Sequence, residues 1–347
     1  MYTQKAFFET FADHSVPAMR QTDMLRECLQ LLVLQKSPLS FPFIVQPASE
    51  TINRALGMLR HYDAVDSSGN IRDVGKVIAA LPIAIHLAVS LYLSQYLDCT
   101  DEIISVISMI EATDGGSNLF ITPRDATLKA QVNQARKYFH HETGDHLTLF
   151  NIYMAWRDAG LQGAQKEFLQ RHMLRENVLR YADQIRLQLL KIVDTSRVLG
   201  RRDIQLCYLE QKSPDYYARI LKALATGGYM QIAKREDSIS VGTMYLTVRN
   251  NVPAQLLRDT HLGKSPIDTS WVLYNELHDD GEKKPLRLVS RLSPEDLVSA
   301  KPGYWSDVVD FLPKGLIRNG IIQAISTMTG LPPSSVAGDM PHPDRPV

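Results

Sequence analysis

Between Phe139 and His146 the chain reads Phe139-His140-His141-Glu142-Thr143-Gly144-Asp145-His146, and it then runs on to Trp156 with helical spacing of its apolar residues. This stretch constrains the fold more than any other, because it admits two incompatible readings. A zinc helix needs His-Glu-x-x-His, since residues four apart share a face and can both reach one Zn²⁺. Here His141 and His146 are five apart, with Gly144 between them. Glycine inside a helix costs about 1 kcal/mol relative to alanine. Gly144 therefore reads as the end of one helix and Asp145 as the cap of the next. Leu147, Phe150 and Met154 then fall on one stripe. The stretch is a turn between two helices, and its histidines read as structural.

A chain of 347 residues can hold two to three domains, each with its own core. The 38 basic and 38 acidic residues cancel, so no global excess advertises nucleic acid, although a local stripe would suffice. Cys28, Cys99 and Cys207 are far apart and odd in number, which fits a reducing compartment better than a disulfide scaffold. Lys5, Glu9, Asp13 and His14 break up any signal-like apolar core. The most apolar stretch, 78–97, carries His86 and several hydroxyls, so it reads as a buried helix and not a membrane span.

The pattern along the chain is helical first and β-prone later. Leu25, Leu29 and Leu32 mark a helix over 24–34. A connector with Pro38, Pro42 and Pro47 follows, then a helix over 50–61 and a hairpin turning on Ser67-Ser68-Gly69-Asn70. This is the layout of a winged-helix unit. Helices are expected over 84–97, 100–112, 125–139, 145–158, 163–171 and 173–193, punctuated by Gly115-Gly116-Ser117 and Pro123. The character changes after Arg201-Arg202. Ser213-Pro214-Asp215 supplies a cap, a proline at the first helical position and an acidic first turn. The helix it opens runs to Ala225, stopped by Gly227-Gly228. Short β-prone runs at 229–233, 243–249, 271–277 and 286–291 suggest a small barrel such as an OB-fold. A last helix, about 314–328, precedes a proline-rich tail expected to be disordered.

Several blocks, in order, resemble one family over nearly the whole chain: the C-terminal region of DEAH-box RNA helicases. Glu50–Leu56 followed by Gly69–Lys76 is similar to their winged helix. Leu81-Pro82-Ile83 and Cys99–Ile104 look like the entry to the helicase-associated, or ratchet, domain. Phe139–Trp156 and Ala182–Leu189 resemble its interior and long helix, and Ala223–Lys234 and Trp271–Glu276 its OB-fold. The resemblance implies a multidomain, mainly α protein with a β-barrel. Residues 1–22 would be a remnant of the second RecA-like domain and its linker, and 23–82 the winged helix. Residues 83–198 would be the ratchet bundle, 199–300 the OB-fold, 301–330 a C-terminal helix and 331–347 a disordered tail. The nearest members serve pre-mRNA splicing and ribosome assembly and are activated by G-patch proteins, which implies a nuclear, nucleolar or cytoplasmic protein.

One departure from the family is large. Its members hydrolyse ATP with Mg²⁺ on two RecA-like domains, and no Gly-x-x-x-x-Gly-Lys-[Ser/Thr] occurs here. Gly263-Lys264-Ser265 has Arg258 where the first glycine must stand, and no Asp-Glu-x-His is present. This chain is expected to have no catalytic residue, cofactor or metal of its own; ATP and Mg²⁺ would belong to a parent helicase. It would be a fragment, a truncated product or a motor-less relative. Leu257–Gly263 and Asp279–Pro285 also differ from the family's usual barrel loops.

Single-stranded RNA is gripped by cations on phosphates and flat side chains under bases. The long helix offers Arg175, Asn177, Arg180, Gln184 and Arg186, with Arg175 and Arg186 eleven apart and so on one face. Pairing with Glu176 and Asp183 on a solvated face is the plain alternative. In the barrel region Lys222, Lys234, Arg235 and Arg249 with Tyr229 and Tyr245 form a basic-aromatic set, Tyr229 being equally suited to a core. Tyr216-Tyr217 reads as packing. Leu56, Leu59 and Tyr62 could receive a partner's amphipathic helix or serve the local core. The expected activity is single-stranded RNA binding and regulator docking, with the parent's motor domains and a G-patch protein as partners and no membrane. A protein-binding scaffold without RNA contact is the alternative, and a hydrolase built on His140, His141 and Asp145 the remote one.

Overall fold

The computed structural model describes residues 23–336 apart from 114–117, 199–203, 211–212, 237–243, 258–259, 261, 263–268, 279–283, 310–311 and 313–314. The expectations placed on 1–22, Gly115–Ser117, Arg201-Arg202, Gly263–Ser265 and most of the tail lie outside those residues. The chain divides into two compact units, one ending at Ile85 and one beginning at His86.

In the first unit, α1 (Leu25–Val33), α2 (Ser49–His61) and α3 (Asp73–Ala80) enclose a small core of Leu29, Ile52, Ala55, Leu59 and Ile78. The third helix escaped the sequence reading. Its Asp73 opens it without a side-chain cap bond, and only eight residues carry the pattern. Arg26 of α1 ties the following segment down by donating to the carbonyls of Leu81 and Ile83. The hairpin is a single antiparallel bridge, Val65 to Ile71. Its turn is closed by Asp66, whose carboxylate accepts from the Asn70 N–H at 2.8 Å and is thereby held below the usual carboxylate range. Gly75 has no room for a side chain, since a Cβ there would stand 2.2 Å from the Ala64 carbonyl oxygen.

The second unit opens with α4 (Ile85–Ser94), a single 3₁₀ turn and α5 (Thr100–Ala112). Almost all of α5 is buried, so its hydroxyls must be satisfied internally. Ser105, Ser108 and Thr113 do this by donating to the carbonyls four residues back, at 2.9, 2.7 and 2.6 Å. An extended strap, 204–210, crosses the start of α5: the Asp101 N–H donates to the Cys207 carbonyl, and Glu102 accepts from the Leu209 N–H. Against α5 pack α7 (Asp145–Leu161), α9 (Glu176–Val198) and α10 (Tyr216–Gly227), while α6 (Ala126–Phe139) and α8 (Gln165–Arg171) pack against α7. α10 starts at Tyr216, later than the Ser213 cap implied, because the Ser213 hydroxyl is spent on Asp215 and Asp215 on Arg219. No single helix among the described residues is long and apolar enough to cross a membrane.

Five strands follow: β1 (Ile232–Glu236), β2 (Met244–Thr247), β3 (Pro253–Leu256), β4 (Trp271–Leu277) and β5 (Pro285–Arg291). They close into a barrel in the order β1-β2-β3-β5-β4, antiparallel except for β3 with β5. The sequence reading missed β3, four residues starting on a proline, whose missing N–H only an irregular or edge position tolerates. Inside sit Ala233, Tyr245, Ala254, Val272, Tyr274, Leu286 and Val289. Outside, α11 (Pro294–Ala300), α12 (Pro302–Val308) and α13 (Leu316–Thr329) follow β5, and Gly320 of α13 lets the Trp271 ring approach. α11 and α12 were not anticipated, and Pro333–Val336 forms one helical turn where the tail was expected to be disordered.

The helical part and the barrel meet at the stretch on which the sequence reading turned. Gly144 forms a β-bridge with Ser290, and the Arg291 N–H donates to the Thr143 carbonyl at 2.8 Å. The Asp145 carboxylate is buried and accepts from the Thr260 hydroxyl at 2.7 Å and the Val289 N–H at 2.9 Å. His146 Nδ1 lies 2.8 Å from the Ser290 hydroxyl. Two expectations change here. Gly144 stands before α7 with φ 137°, and it is needed for closeness, since a Cβ would meet the Val289 carbonyl oxygen at 2.3 Å. Asp145 does not cap its own helix; it is the first residue of α7 and binds the barrel.

Gly144→Ala must push β5 away or strain the backbone. It is expected to lower stability by at least about 2 kcal/mol, read as a fall in thermal midpoint. His146 is fully buried, and burial pushes it down to about 3 with a smaller contribution from His86. Its folded value lies below its unfolded one, so the stability tied to neutral His146 is complete above about 6.5 and is lost as pH falls toward 3. Unfolding free energy should drop by up to about 1.4 kcal/mol per pH unit in that window. His146→Asn, measured by urea denaturation across the same range, should flatten the dependence; an unchanged slope would refute the assignment.

Candidate functional site

Two surfaces carry the residues that sequence reasoning singled out. The first is α9. A helix turns 100° per residue, so Asn177, Arg180, Gln184, Gln188 and Lys191 fall within one arc, and all five are exposed. Tyr181 and Leu187 lie on the same arc and are 54% and 58% exposed. Arg175 and Arg186 do share a face, as their spacing required, but it is the inward one. Arg186 is buried; its guanidinium pairs with Asp101 and donates to the Ser105 hydroxyl of α5 at 3.1 Å. Arg175 is half-buried and donates to Thr122. Arg186 is therefore a structural residue and no part of an open binding face. Arg180 pairs with Glu176 one turn earlier, both well exposed.

The second surface is a cleft of about 780 Å³ where the turn before α7, α10, and strands β1, β4 and β5 come together. It gathers Lys222 from α10, Lys234 from β1 and Arg291 from the end of β5. Tyr217 contributes a ring 4.4 Å from the ring of His141, and its hydroxyl donates to Asn151 at 3.1 Å. His141 Nδ1 accepts from the Thr143 N–H, and burial holds this imidazole below its ordinary value. Lys234 places its ammonium 5.1 Å over the Trp271 ring. Arg291 pairs with Glu142 at 3.5 Å.

The rest of the barrel set disperses. Tyr245 is fully buried and donates to the Thr269 carbonyl at 3.1 Å, so it is core and offers no stacking face. Tyr229 is likewise buried. Arg235 is the penultimate residue of β1, and Arg249 lies close enough to Tyr274 and Tyr304 to act on both phenols. In the first unit Leu59 and Tyr62 are buried and Leu56 is half-buried, so they form the local core and present no docking ridge. His141, Tyr217, Trp271 and Arg291 were missed as cleft residues. Their only sequence signal was the Gly144-Asp145 turn, and nothing linear told that it abuts β5.

The model of the helicase associated domain (HA2), ratchet-like, matches residues 84–149. Over 311 residues the chain is 28% identical to a Homo sapiens protein named "Putative pre-mRNA-splicing factor ATP-dependent RNA helicase DHX32". The chain resembles the C-terminal region of a DEAH-box RNA helicase. The match covers 86% of this chain and 40% of that relative, so the chain spans well under half of its length. The ratchet-like match ends at Leu149, just beyond the Asp145 joint. α4, α5, α6 and the Gly144–His146 side of that joint thus lie within it, while α9, the cleft's α10 wall and the barrel lie beyond it.

Arg186→Met would leave the Asp101 carboxylate uncompensated in the first turn of α5. Breaking such a pair is expected to cost about 3–5 kcal/mol in urea denaturation. The double replacement Arg186→Met with Asp101→Leu should recover most of the loss, as a surface pair would not require.

Proposed function

We propose that this chain grips single-stranded RNA along the outward arc of α9, as the RNA-handling C-terminal part of an ATP-dependent helicase acting in pre-mRNA splicing in the nucleus. The carrying observation is the composition of that arc. From Asn177 to Lys191 it spans about 21 Å and presents three amides, two cations and the Tyr181 ring. Amides and a ring suit unpaired bases, and cations suit phosphates. The Arg180–Glu176 pair is exposed and worth at most about 1 kcal/mol, so a phosphate can take the carboxylate's place.

Two further features support the reading. A closed five-stranded barrel in the order β1-β2-β3-β5-β4, with β3 and β5 parallel, agrees with an OB-fold. Three helices and a short hairpin agree with a winged helix ahead of it. ATP and Mg²⁺ would act on the motor of the parent helicase; with neither phosphate-cradle nor Asp-Glu-x-His motif, this chain alone is expected to be inert toward ATP. Tyr181 and Leu187 on the same arc favour a second reading, a protein-binding scaffold.

Fluorescence anisotropy with labelled decauridylate separates the two. RNA binding predicts that log affinity falls linearly with log salt, by about 0.7 per phosphate contact. Arg180→Glu with Lys191→Glu should lower that slope by about 1.4, two contacts' worth. A wild-type chain silent at low salt would leave only the scaffold.

A further inference from the structure

We propose that the cleft between α10 and the barrel is a second contact for single-stranded RNA, with phosphates held between Lys222 and Lys234 and one base on the Tyr217 ring. It rests on the RNA reading above and adds to it a site where α10 meets the barrel.

The first argument is charge. Basic and acidic residues are equal in number, and other cations around the cleft already have carboxylate partners that a ligand would have to displace: Arg291 has Glu142, and Arg219 has Asp215 and Asp98. Lys222 and Lys234 are the exceptions, since among the described residues neither ammonium has a carboxylate partner. Both nonetheless line the same cleft, one from a helix and one from a strand. Glu142 and Asp296 are the cleft's acidic residues, and the first is already taken by Arg291.

The second argument is order. Lys234 is held by the Trp271 ring beneath it. Tyr217 is 39% exposed, with its ring against His141 and its hydroxyl fixed by Asn151. A held, part-open ring beside two unpartnered cations is the chemistry that takes a base and its phosphates. An acidic peptide would meet the same charges but little apolar anchorage, because Trp271, Leu292 and Leu221 of the cleft wall are only 3%, 7% and 9% exposed. The volume is that of a site for one small-molecule-sized group. An OB-fold commonly uses strands 2 and 3 with the β1–β2 and β4–β5 loops, whereas this cleft lies on β1, β4 and β5.

The test uses the full chain and labelled decauridylate over a salt series. Lys222→Gln with Lys234→Gln should weaken binding at least about fivefold and lower the salt slope by about 1.4. Tyr217→Ala should weaken it with the slope unchanged, and Tyr217→Phe should restore it, with thermal midpoints confirming that each variant is folded. If wild type binds and the double lysine variant matches it in affinity and slope, the cleft proposal is wrong and the α9 reading stands. If wild type does not bind at all, the underlying RNA reading fails first. If labelled decaglutamate binds wild type and loses the double variant while RNA affinity is untouched, the cleft serves an acidic peptide and the proposal is overturned.

Discussion

A buried carboxylate at the first turn of α7 joins the helical bundle to the barrel, and much of the second unit is arranged around it. Asp145 accepts one hydrogen bond from a loop hydroxyl and one from the backbone of β5. Removing a charge from water is costly unless it is hydrogen-bonded. The site is therefore stable only with Thr260, Val289 and α7 all in place. Gly144 makes the approach sterically feasible, and His146 adds a neutral imidazole against Ser290. These three consecutive residues contribute closeness, charge and a neutral hydrogen bond, and none can be exchanged for another. The turn they form also carries His141 to Thr143 into the cleft wall, so the joint and the cleft depend on one backbone path.

The helical order was largely legible in the sequence because periodicity and punctuation agree there. α5 matches its expected span of 100–112 at both ends, and α7 starts at Asp145, where its expected span of 145–158 begins. The losses have physical reasons. β3 is four residues beginning with proline, too short to show alternation. α3, α11 and α12 are seven or eight residues long, about two turns, which is below what a 3.6-residue period can distinguish from loop. Tyr245 looked like a stacking residue because a strand alternates in and out, and a sequence alone does not tell which phase faces the core.

Helix α9 shows the same limit from the other direction. Spacing placed Arg175 and Arg186 on one face, and the structure agrees; the error lay in assigning that face to solvent. Sequence distance fixes relative phase, while absolute phase is set by what packs against the helix. Here that is α5, whose Asp101 supplies the partner that makes a buried guanidinium tolerable. Asn177, Arg180 and Gln184 face outward for the complementary reason: Val178, Leu179, Ala182 and Leu189 claim the inward arc.

Cations of one type thus acquire opposite roles from their neighbours. Arg186 is matched by a carboxylate and sealed under α5, so its charge is spent on the fold. Arg219 and Arg291 are matched at the surface, so an anion must displace a carboxylate to reach them. Among the described residues Lys222 and Lys234 have no such partner, and a chain with equal numbers of acids and bases has carboxylates enough to have supplied one. An ammonium set over Trp271 retains nearly its full charge, because an aromatic quadrupole attracts a cation without neutralising it. The electrostatic field that an anion would meet at this protein is therefore decided by pairing, which the sums of charge over the sequence conceal.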